Sequence, residues 1–288
     1  MTLLKPFLII IKSFLFYLFD SLALWKIPSP QLNDLELVFL IRQDGIGDFV
    51  MWLDSAKEYR KLYPPDKYKI VLVGNKIWYE LAEELPYWDE VVPVDVKQFK
   101  TFSSYRWKLL RTIRKLKIET AIQPTFSREF YHGDALVRAS GALRKVSSAG
   151  DMANRNWLKQ FLADRWHTEL IPASTEPLTE LERNAEFFSG LTDSPHLTRY
   201  PKLDIQEFWL SSEWKDKTFY ILVPGTSGAV AGKEWPPDFF SGLATKVFRQ
   251  TGWEGAICGA KQERSLGEQI LKQCDAPLQN FAGQTTLV

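Results

Sequence analysis

A short segment rich in charge and glycine follows the first apolar run beyond residue 34. Two carboxylates, one guanidinium and two glycines fall within seven residues, in the order Arg42-Gln43-Asp44-Gly45-Ile46-Gly47-Asp48. Residues 35–41 predict a buried strand before this segment, and apolar spacing predicts a helix over 48–63 after it. In open α/β sheets, ligands bind beyond the carboxyl ends of strands, where helix N-termini present free N–H groups. The segment is therefore a candidate binding site.

Asp48 is the residue of this segment that the predicted helix favours as an anion. A carboxylate at a helix N-terminus is stabilised by the helix dipole and by free N–H groups. A simpler interpretation remains open at this point, in which Asp48 only caps the helix and Gly45 and Gly47 only form a turn.

A second loop with possible binding chemistry follows the apolar residues 219–223. It reads Pro224-Gly225-Thr226-Ser227-Gly228 and runs on to Gly232-Lys233, ahead of a helix predicted over 236–251. Exposed N–H groups, two hydroxyls and a lysine before a helix could hold a diphosphate. The spacing differs from the GxxxxGK[ST] pattern of P-loop nucleoside triphosphatases, and an ordinary polar loop is the alternative.

Strand and helix patterns alternate along the chain, which predicts parallel sheets and an α/β fold. Strands are predicted over 35–41, 68–73, 90–94, 120–123, 219–223, 255–258 and 278–281, and helices over 48–63, 76–85, 105–116, 130–142, 180–190, 236–251 and 263–274. Residues 152–177 lack either pattern and are expected to be irregular. The two series of elements predict two domains, 34–205 and 206–288, after an N-terminal segment of residues 1–33.

The N-terminal residues 7–25 are almost entirely apolar. Their polar residues fall on one half of a helical wheel and are Lys12, Ser13, Asp20 and Ser21. This one-sided pattern and the terminal Trp25 favour a helix lying in a membrane interface. A spanning helix needs about 20 apolar residues and would have to carry two charges. A helix buried in the fold is the third interpretation.

Composition and charge exclude several classes of protein. The 288 residues have 36 Lys+Arg and 35 Asp+Glu, and a net charge of +1 argues against electrostatically driven nucleic-acid binding. Residues 106–117 are locally basic, which is typical of a solvated helix face, with an anionic membrane as the alternative contact. Two cysteines give no disulfide framework and indicate a reducing compartment. No metal site is predicted, and the scattered histidines are interpreted as structural or surface residues: His132, His167 and His196.

In order along the chain, these motifs resemble those of glycosyltransferase family 9, the lipopolysaccharide heptosyltransferases and their relatives. Arg42 to Asp48 resembles the family's Arg-x-Asp-x-Ile-Gly-Asp segment. Further resemblances follow in family order: Lys61-Leu62-Tyr63-Pro64, Trp88-Asp89-Glu90-Val91, Leu181-Glu182-Arg183-Asn184, Pro224-Gly225-Thr226-Ser227, Lys233-Glu234-Trp235-Pro236, Gly259-Ala260-Lys261-Gln262-Glu263 and Phe281-Ala282-Gly283-Gln284-Thr285. The resemblance extends over nearly everything from Glu36 onward.

The resemblance implies an α/β fold of GT-B type, with two Rossmann-like domains facing a cleft. The domain at 34–205 would bind the acceptor and the domain at 206–288 the nucleotide sugar. The implied reaction is inverting and metal-independent, and it needs no cofactor. A heptose-like sugar would move from ADP-heptose to the lipopolysaccharide core or another lipid-linked saccharide. Residues 7–25 would contact the membrane surface, with the chain peripheral on the cytoplasmic face of the inner membrane.

The same resemblance assigns roles to individual residues. Asp48 would be the general base on the acceptor hydroxyl. The donor diphosphate would be bound by Thr226, Ser227 and Lys233, which stabilise the charge of the leaving group. Glu263 would lie near the nucleoside ribose. The remaining motif residues would shape the two loops: Arg42, Asp44, Gly45, Gly47 and Gly225.

Two departures from the family pattern leave an alternative function open. Val223 stands where the family usually has His. The sequence also stops at Val288, before the expected Asp-Thr/Ser-Gly-x-x-His loop, so the second domain is expected to be truncated. The alternative is a catalytically inactive module that binds a sugar or nucleotide. A Rossmann-type oxidoreductase is disfavoured because residues 44–48 lack the GxGxxG spacing.

Overall fold

The computed structural model describes residues 4–27, 35–202, 214–226 and 235–287. The chain divides into two compact units, Met1–Ile205 and Gln206–Val288. Each unit contains its own parallel sheet. The predicted α/β fold is confirmed.

Six strands form the sheet of the first unit. They are β1 (Glu36–Arg42), β2 (Tyr68–Asn75), β3 (Glu90–Val94), β4 (Ile118–Gln123), β5 (Arg144–Ser148) and β6 (Glu169–Ile171). Their order is β3-β2-β1-β4-β5-β6, and every neighbouring pair is parallel. The direction of strand order changes between β1 and β4. The carboxyl ends of these two strands therefore flank the crevice in which such sheets bind ligands.

Helices precede, connect and follow these strands. They are α1 (Leu4–Ala23), α2 (Ile46–Ala56), α3 (Tyr59–Leu62), α4 (Tyr79–Glu83), α5 (Val96–Phe99), α6 (Ser104–Arg114), α7 (Gly133–Ser140), α8 (Trp157–Asp164) and α9 (Glu180–Thr192), with a 3-10 turn at Lys76–Trp78. Alternate residues of β1 pack into two hydrophobic cores, one on each face of the sheet. Val38 and Leu40 belong to one core, and Phe39 and Ile41 to the other. Both faces are covered, as expected for a parallel sheet with continuous apolar strands.

The second unit has a smaller sheet of the same kind. Its elements are β7 (Phe219–Leu222), α10 (Pro237–Thr251), β8 (Glu254–Ile257), a 3-10 turn (Lys261–Glu263), α11 (Arg264–Lys272) and β9 (Leu278–Asn280). The strands are parallel in the order β7-β8-β9. The buried core between sheet and helices contains Leu222, Ala244, Ile257 and Ile270.

The prediction that residues 152–177 are irregular is wrong, because α8 and β6 lie within them. The sequence pattern also fails to predict β5. Val146 is the single apolar residue of β5, and its polar neighbours Ser147 and Ser148 are typical of a loop although both are buried. β6 has only three residues, too few for a period to be recognised.

Several predicted helices have different bounds. The helix predicted over 48–63 begins earlier, at Ile46, and ends at Ala56, with the short α3 after it. Residues 76–85 begin with the 3-10 turn, and residues 130–142 are helical only over Gly133–Ser140. Such ends depend on local capping contacts that apolar spacing does not report.

The indole ring of Trp78 lies across the carboxyl end of β2. A Cβ atom added at Gly74 would lie 2.0 Å from Cη2 of Trp78, so glycine is what leaves room for the ring. The ring stacks on Phe49 with a centroid distance of 3.9 Å. Its Nε1 donates a hydrogen bond to the carbonyl of Asp44 at 3.0 Å. Gly74 thus allows one side chain to hold both α2 and the segment that follows β1.

We expect Gly74→Ala to lower the free energy of unfolding by about 1–3 kcal/mol, the usual cost of overpacking a core. The added methyl group has to displace the Trp78 ring. Urea unfolding followed by circular dichroism measures the change. Gly47→Ala is the matched control, because a Cβ there meets nothing within 4 Å; its stability should be unchanged or raised by up to about 1 kcal/mol. Equal stability of Gly74→Ala and the wild type would contradict the packing argument.

Candidate functional site

Arg42, the last residue of β1, has a buried guanidinium with partners from separate parts of the first unit. Nη1 donates to Oδ1 of Asn184 at 2.9 Å, and Nη2 donates to Oε1 of Glu180 at 2.6 Å. Nη2 also donates to the main-chain carbonyl of Asp48 at 3.3 Å. Nε lies 2.6 Å from Oδ2 of Asp44 in an ion pair. The guanidinium therefore joins the segment after β1 to the beginning of α9.

The charge of Arg42 is maintained by these neighbours. Burial by itself lowers the pKa of Arg42, whereas the carboxylates of Asp44, Glu180 and Asp48 raise it, and the net change is upward. A buried charge of this kind is tolerated only when it is paired and hydrogen-bonded. The planar fork of arginine suits several oxygen acceptors at once, which lysine cannot match.

Asp44 is fixed through both its carboxylate and its main chain. Besides Arg42, its Oδ2 accepts a hydrogen bond from Oγ1 of Thr125 at 3.1 Å. Its carbonyl accepts from Nδ2 of Asn75 at 3.2 Å and from Nε1 of Trp78. Residues at or after the carboxyl ends of β2 and β4 therefore hold the segment between β1 and α2.

Asp48 lies in the first turn of α2 and not at its N-cap. The N-cap is Gly45, which has no side-chain cap, so the interpretation that Asp48 merely caps the helix is wrong. Asp48 is exposed. Within the described parts of the chain, its carboxylate has no hydrogen-bond or ion-pair partner. It is therefore open to a ligand at the carboxyl edge of the sheet.

Polar residues from the end of β4 to the start of α7 line the same edge, and the sequence analysis missed them as part of a site. Gln123, Glu129 and His132 surround a small cavity together with Gln43 and Asp44. Burial raises the pKa of Glu129. His132 is buried, and its Nε2 lies 3.8 Å from Oε2 of Glu129. Only the sheet topology could have identified these residues, because they lie at the end of β4 or after it, and β4 pairs with β1.

In the second unit, the predicted residues Gly225 and Glu263 are in contact. A Cβ atom added at Gly225 would lie 2.1 Å from the carboxyl carbon of Glu263, and one at Gly259 would lie 2.5 Å from its Oε2. Oε2 of Glu263 also accepts a hydrogen bond from the N–H of Ala260 at 2.6 Å. Gly225 follows β7 and Gly259 follows β8. The carboxylate of Glu263 is therefore held at the carboxyl ends of two adjacent parallel strands.

The remaining predicted binding residues are placed only in part. Thr226 follows Gly225 at the end of a described range, whereas Ser227 and Lys233 lie outside the described residues. Their role in diphosphate binding stays a prediction. In the ranges that the structure covers, no group of three or more His, Cys, Asp or Glu side chains is placed to hold a metal ion.

Comparisons with known proteins bear on the family and the fold. The model of glycosyltransferase family 9 (heptosyltransferase) matches residues 135–288, more than half of the chain. The structure of E. coli ADP-heptose lps heptosyltransferase II is similar with a TM-score of 0.61 at 18% identity, over 87% of this chain and 73% of that chain. The crystal structure of a glycosyl transferase family 9 protein from Veillonella parvula DSM 2008 is similar with a TM-score of 0.63 at 16% identity, over 89% of this chain and 72% of that chain.

A further similar structure is E. coli heptosyltransferase WaaC with ADP-2-deoxy-2-fluoro heptose, with a TM-score of 0.64 at 14% identity over 85% of this chain and 75% of that chain. These likenesses show the fold and confirm the predicted GT-B type. The comparison with curated protein sequences gave no match.

We expect Arg42→Met to lower the free energy of unfolding by about 3–5 kcal/mol, because it removes one partner of a buried charge network. Chemical unfolding of the purified chain measures the loss. The matched control is Arg144→Met, since the ion pair of Arg144 with Glu169 is exposed, with 43% and 39% of the two side chains accessible. Its effect should stay within about 1 kcal/mol. Equal effects of the two substitutions would show that the Arg42 network does not stabilise the unit.

Buried histidines predict a stability that falls toward acid pH. Burial, helped by nearby cations, lowers the pKa of His132 and of His167 to about 3. The pKa of an unfolded histidine is about 6.5, so below that pH the unfolded chain binds more protons than the folded one. Each histidine should therefore lower the unfolding free energy by about 1.4 kcal/mol between about pH 7.5 and pH 5.5. Denaturant unfolding across this range, repeated with His167→Asn, measures the slope. A slope that His167→Asn leaves unchanged would contradict the assignment.

Proposed function

The chain belongs to glycosyltransferase family 9 (heptosyltransferase), and from this premise we propose that it transfers a heptose-like sugar from ADP-heptose to a lipid-linked saccharide. Family membership makes the chain a glycosyltransferase, whereas the donor and the acceptor are the proposed part. ADP-heptose is supported by the descriptions of two structures of the same fold, an ADP-heptose lps heptosyltransferase and WaaC with an ADP-linked fluoro heptose. The lipopolysaccharide core is the acceptor that the first of these descriptions suggests.

The observation that carries the proposal is the exposed Asp48 carboxylate, open at the carboxyl edge of the first sheet. A carboxylate in such a place can take the proton from an acceptor hydroxyl within hydrogen-bond reach. The hydroxyl oxygen then bonds to the anomeric carbon of the donor sugar while the bond from that carbon to the diphosphate oxygen breaks. ADP leaves with the bonding electron pair, and attack from the opposite face inverts the configuration.

Arg42 acts in this proposal as a positioning residue. It donates a hydrogen bond to the main-chain carbonyl of Asp48 and forms an ion pair with Asp44. These contacts fix the first turn of α2 through its main chain and leave the Asp48 carboxylate unbound by Arg42. A general base works only within a short distance of its proton, and small displacements of such a group reduce the rate strongly. The guanidinium itself is buried and does not need to touch the substrate.

The donor is assigned to the second unit. Glu263 would accept a hydrogen bond from a ribose hydroxyl through its carboxylate, whose orientation is fixed by the N–H of Ala260. Thr226, Ser227 and Lys233 would bind the diphosphate, with the lysine cation balancing the charge that develops on the leaving group. The proposed reaction needs no metal ion, because these groups supply the electrostatic stabilisation.

The proposed location is the cytoplasmic face of the inner membrane, with the chain bound peripherally. A lipid-linked acceptor is available only at a membrane surface, and the nucleotide-sugar donor is a soluble metabolite. Cys258 and Cys274 are both free thiols, which suits a reducing compartment.

We expect Asp48→Asn to lower kcat for sugar transfer by about 10²–10⁴-fold, because the amide cannot accept the acceptor proton. Release of ADP from ADP-heptose, measured with a saccharide acceptor, gives the rate. Asp66→Asn removes an exposed carboxylate from the turn before β2 and should leave the rate unchanged. Undiminished transfer by Asp48→Asn would exclude Asp48 as the base.

A binding measurement on the same proteins separates transfer from binding. Titration calorimetry with ADP should give the same Kd for the wild type and Asp48→Asn, since the nucleotide is assigned to the second unit. Glu263→Gln should weaken ADP binding by about tenfold or more, the usual loss for a hydrogen bond to a charged group. A wild-type chain that binds ADP-heptose but never transfers the sugar would instead be the inactive binding module.

A further inference from the structure

The long apolar helix α1 turns many of its apolar side chains away from the unit to which it belongs. Helices on globular proteins normally bury the apolar face and expose the polar one. Six large apolar side chains of α1 have between 39% and 57% of their surface exposed: Leu8, Ile11, Phe14, Leu15, Leu18 and Leu22. These six residues are called the outward face of α1. A contiguous apolar surface of this kind marks a contact with a partner or a membrane.

The two serines and the aspartate of α1 face the first unit instead. Ser13 is fully buried, and its hydroxyl lies 3.0 Å from the Tyr131 hydroxyl. Ser21 accepts a hydrogen bond from Nη2 of Arg138 at 2.6 Å. Between them, Phe16 is buried against the ring of Tyr131 at a centroid distance of 4.7 Å. The helix is thus docked by its polar side, and this orientation exposes the outward face.

A buried ion pair fixes this orientation. Asp20, the one acidic residue of α1, accepts hydrogen bonds from Nε and Nη2 of Arg106 at 2.7 and 2.5 Å. Both side chains are almost fully buried, with 3% and 1% exposed. Nη1 of Arg106 also donates to the carbonyls of Phe99 and Tyr131, so the cation is well satisfied. Turning α1 to hide its apolar side would require breaking this bidentate pair, which is costly in a buried place.

Exposed lysines occur on α1 and close to it. Lys12, near the middle of α1, and Lys26, just after its end, are both exposed, and Nζ of Lys26 lies 5.2 Å from the Trp25 ring. On α6, which packs against α1, Lys108 is exposed and no acidic residue occurs. The basic run 106–117 is therefore only partly a solvated face. Its Arg106 and Arg111 bond to α1, whereas lysines such as Lys108 reach solvent.

We propose that the outward face of α1 lies on an anionic lipid bilayer and holds the first unit at that surface. An apolar face flanked by lysines and a terminal tryptophan matches the boundary between headgroups and acyl chains. In the described residues, no helix is long and apolar enough to cross a membrane. A second copy of the chain fits less well, because pairing two such faces would bring the flanking lysines of both copies together.

The attachment would bring the lipid surface near the candidate site. α1 contacts Tyr131, which belongs to the same segment as Glu129 and His132 at the carboxyl edge of the first sheet. A lipid-linked acceptor could then reach Asp48 without leaving the bilayer. This part of the inference rests on the proposed function, whereas lipid binding itself does not.

Sedimentation with lipid vesicles tests the proposal directly on the full chain. The wild type should bind vesicles of phosphatidylcholine with phosphatidylglycerol. It should bind vesicles of pure phosphatidylcholine much less, and high salt should weaken its binding to the anionic vesicles. Leu15→Glu/Leu18→Glu should lower the partition coefficient by about tenfold or more, since it charges the outward face. Lys12→Gln/Lys26→Gln/Lys108→Gln keeps the outward face intact and should lower the partition coefficient by about fivefold per lysine. Leu197→Glu, at an exposed leucine outside α1, is the control and should bind like the wild type.

Two further measurements distinguish the possible outcomes. Light scattering in the absence of lipid should show the same molecular mass for the wild type and Leu15→Glu/Leu18→Glu; a dimer that only the wild type forms would assign the face to a second copy. Transfer to a water-soluble saccharide should be equal for both proteins, so loss of vesicle binding and failure of the transferase proposal are separable. Equal binding of the wild type and all variants to vesicles, or of the wild type to neutral and anionic vesicles, would overturn the proposal.

Discussion

The buried guanidinium of Arg42 is the interaction on which the geometry of the first unit's candidate site depends. A cation at the end of a central strand can be removed from water only if anions and carbonyls surround it. Asp44, Glu180 and Asn184 meet this requirement, and the carbonyl of Asp48 adds a further acceptor. The requirement fixes where the segment after β1 and the start of α9 can lie. It also leaves the carboxylate of Asp48, which does not hydrogen-bond to the guanidinium, exposed to solvent.

Both units use the carboxyl ends of parallel strands, but they hold their key carboxylates differently. In the first unit, the Asp48 carboxylate has no hydrogen-bond or ion-pair partner among the residues that the structure describes, whereas Arg42 and Asp44 are held by several contacts. In the second unit, Glu263 is itself held, by the N–H of Ala260 and by close approach to Gly225. A free carboxylate suits proton transfer, which needs access to the substrate. A fixed carboxylate suits recognition, which needs a defined acceptor position.

The sequence was informative wherever apolar periodicity and motif spacing carried the signal. The bounds of β3 were predicted as observed, and the segment from Arg42 to Asp48 lies at the expected strand end. The prediction failed where burial is polar, as in β5 with its two buried serines. Periodicity also did not indicate which side of α1 faces the unit, because that depends on the pairing of Asp20 with Arg106 across 86 residues of sequence. Glu129 and His132 were missed for a similar reason, since they join the site only through the pairing of β4 with β1. Periodicity contains no information about such distant partners.

We propose that Arg42 serves catalysis through Asp48, and a double-mutant cycle on kcat tests this proposal most directly. Transfer rates would be measured for Arg42→Lys, Asp48→Asn and the double variant, at a temperature at which all three are folded. If Arg42 acts by positioning Asp48, Arg42→Lys slows transfer and the double variant is no slower than Asp48→Asn alone, because Arg42 has no base left to position. Losses that multiply in the double variant would mean that Arg42 acts independently of Asp48, and would contradict the account.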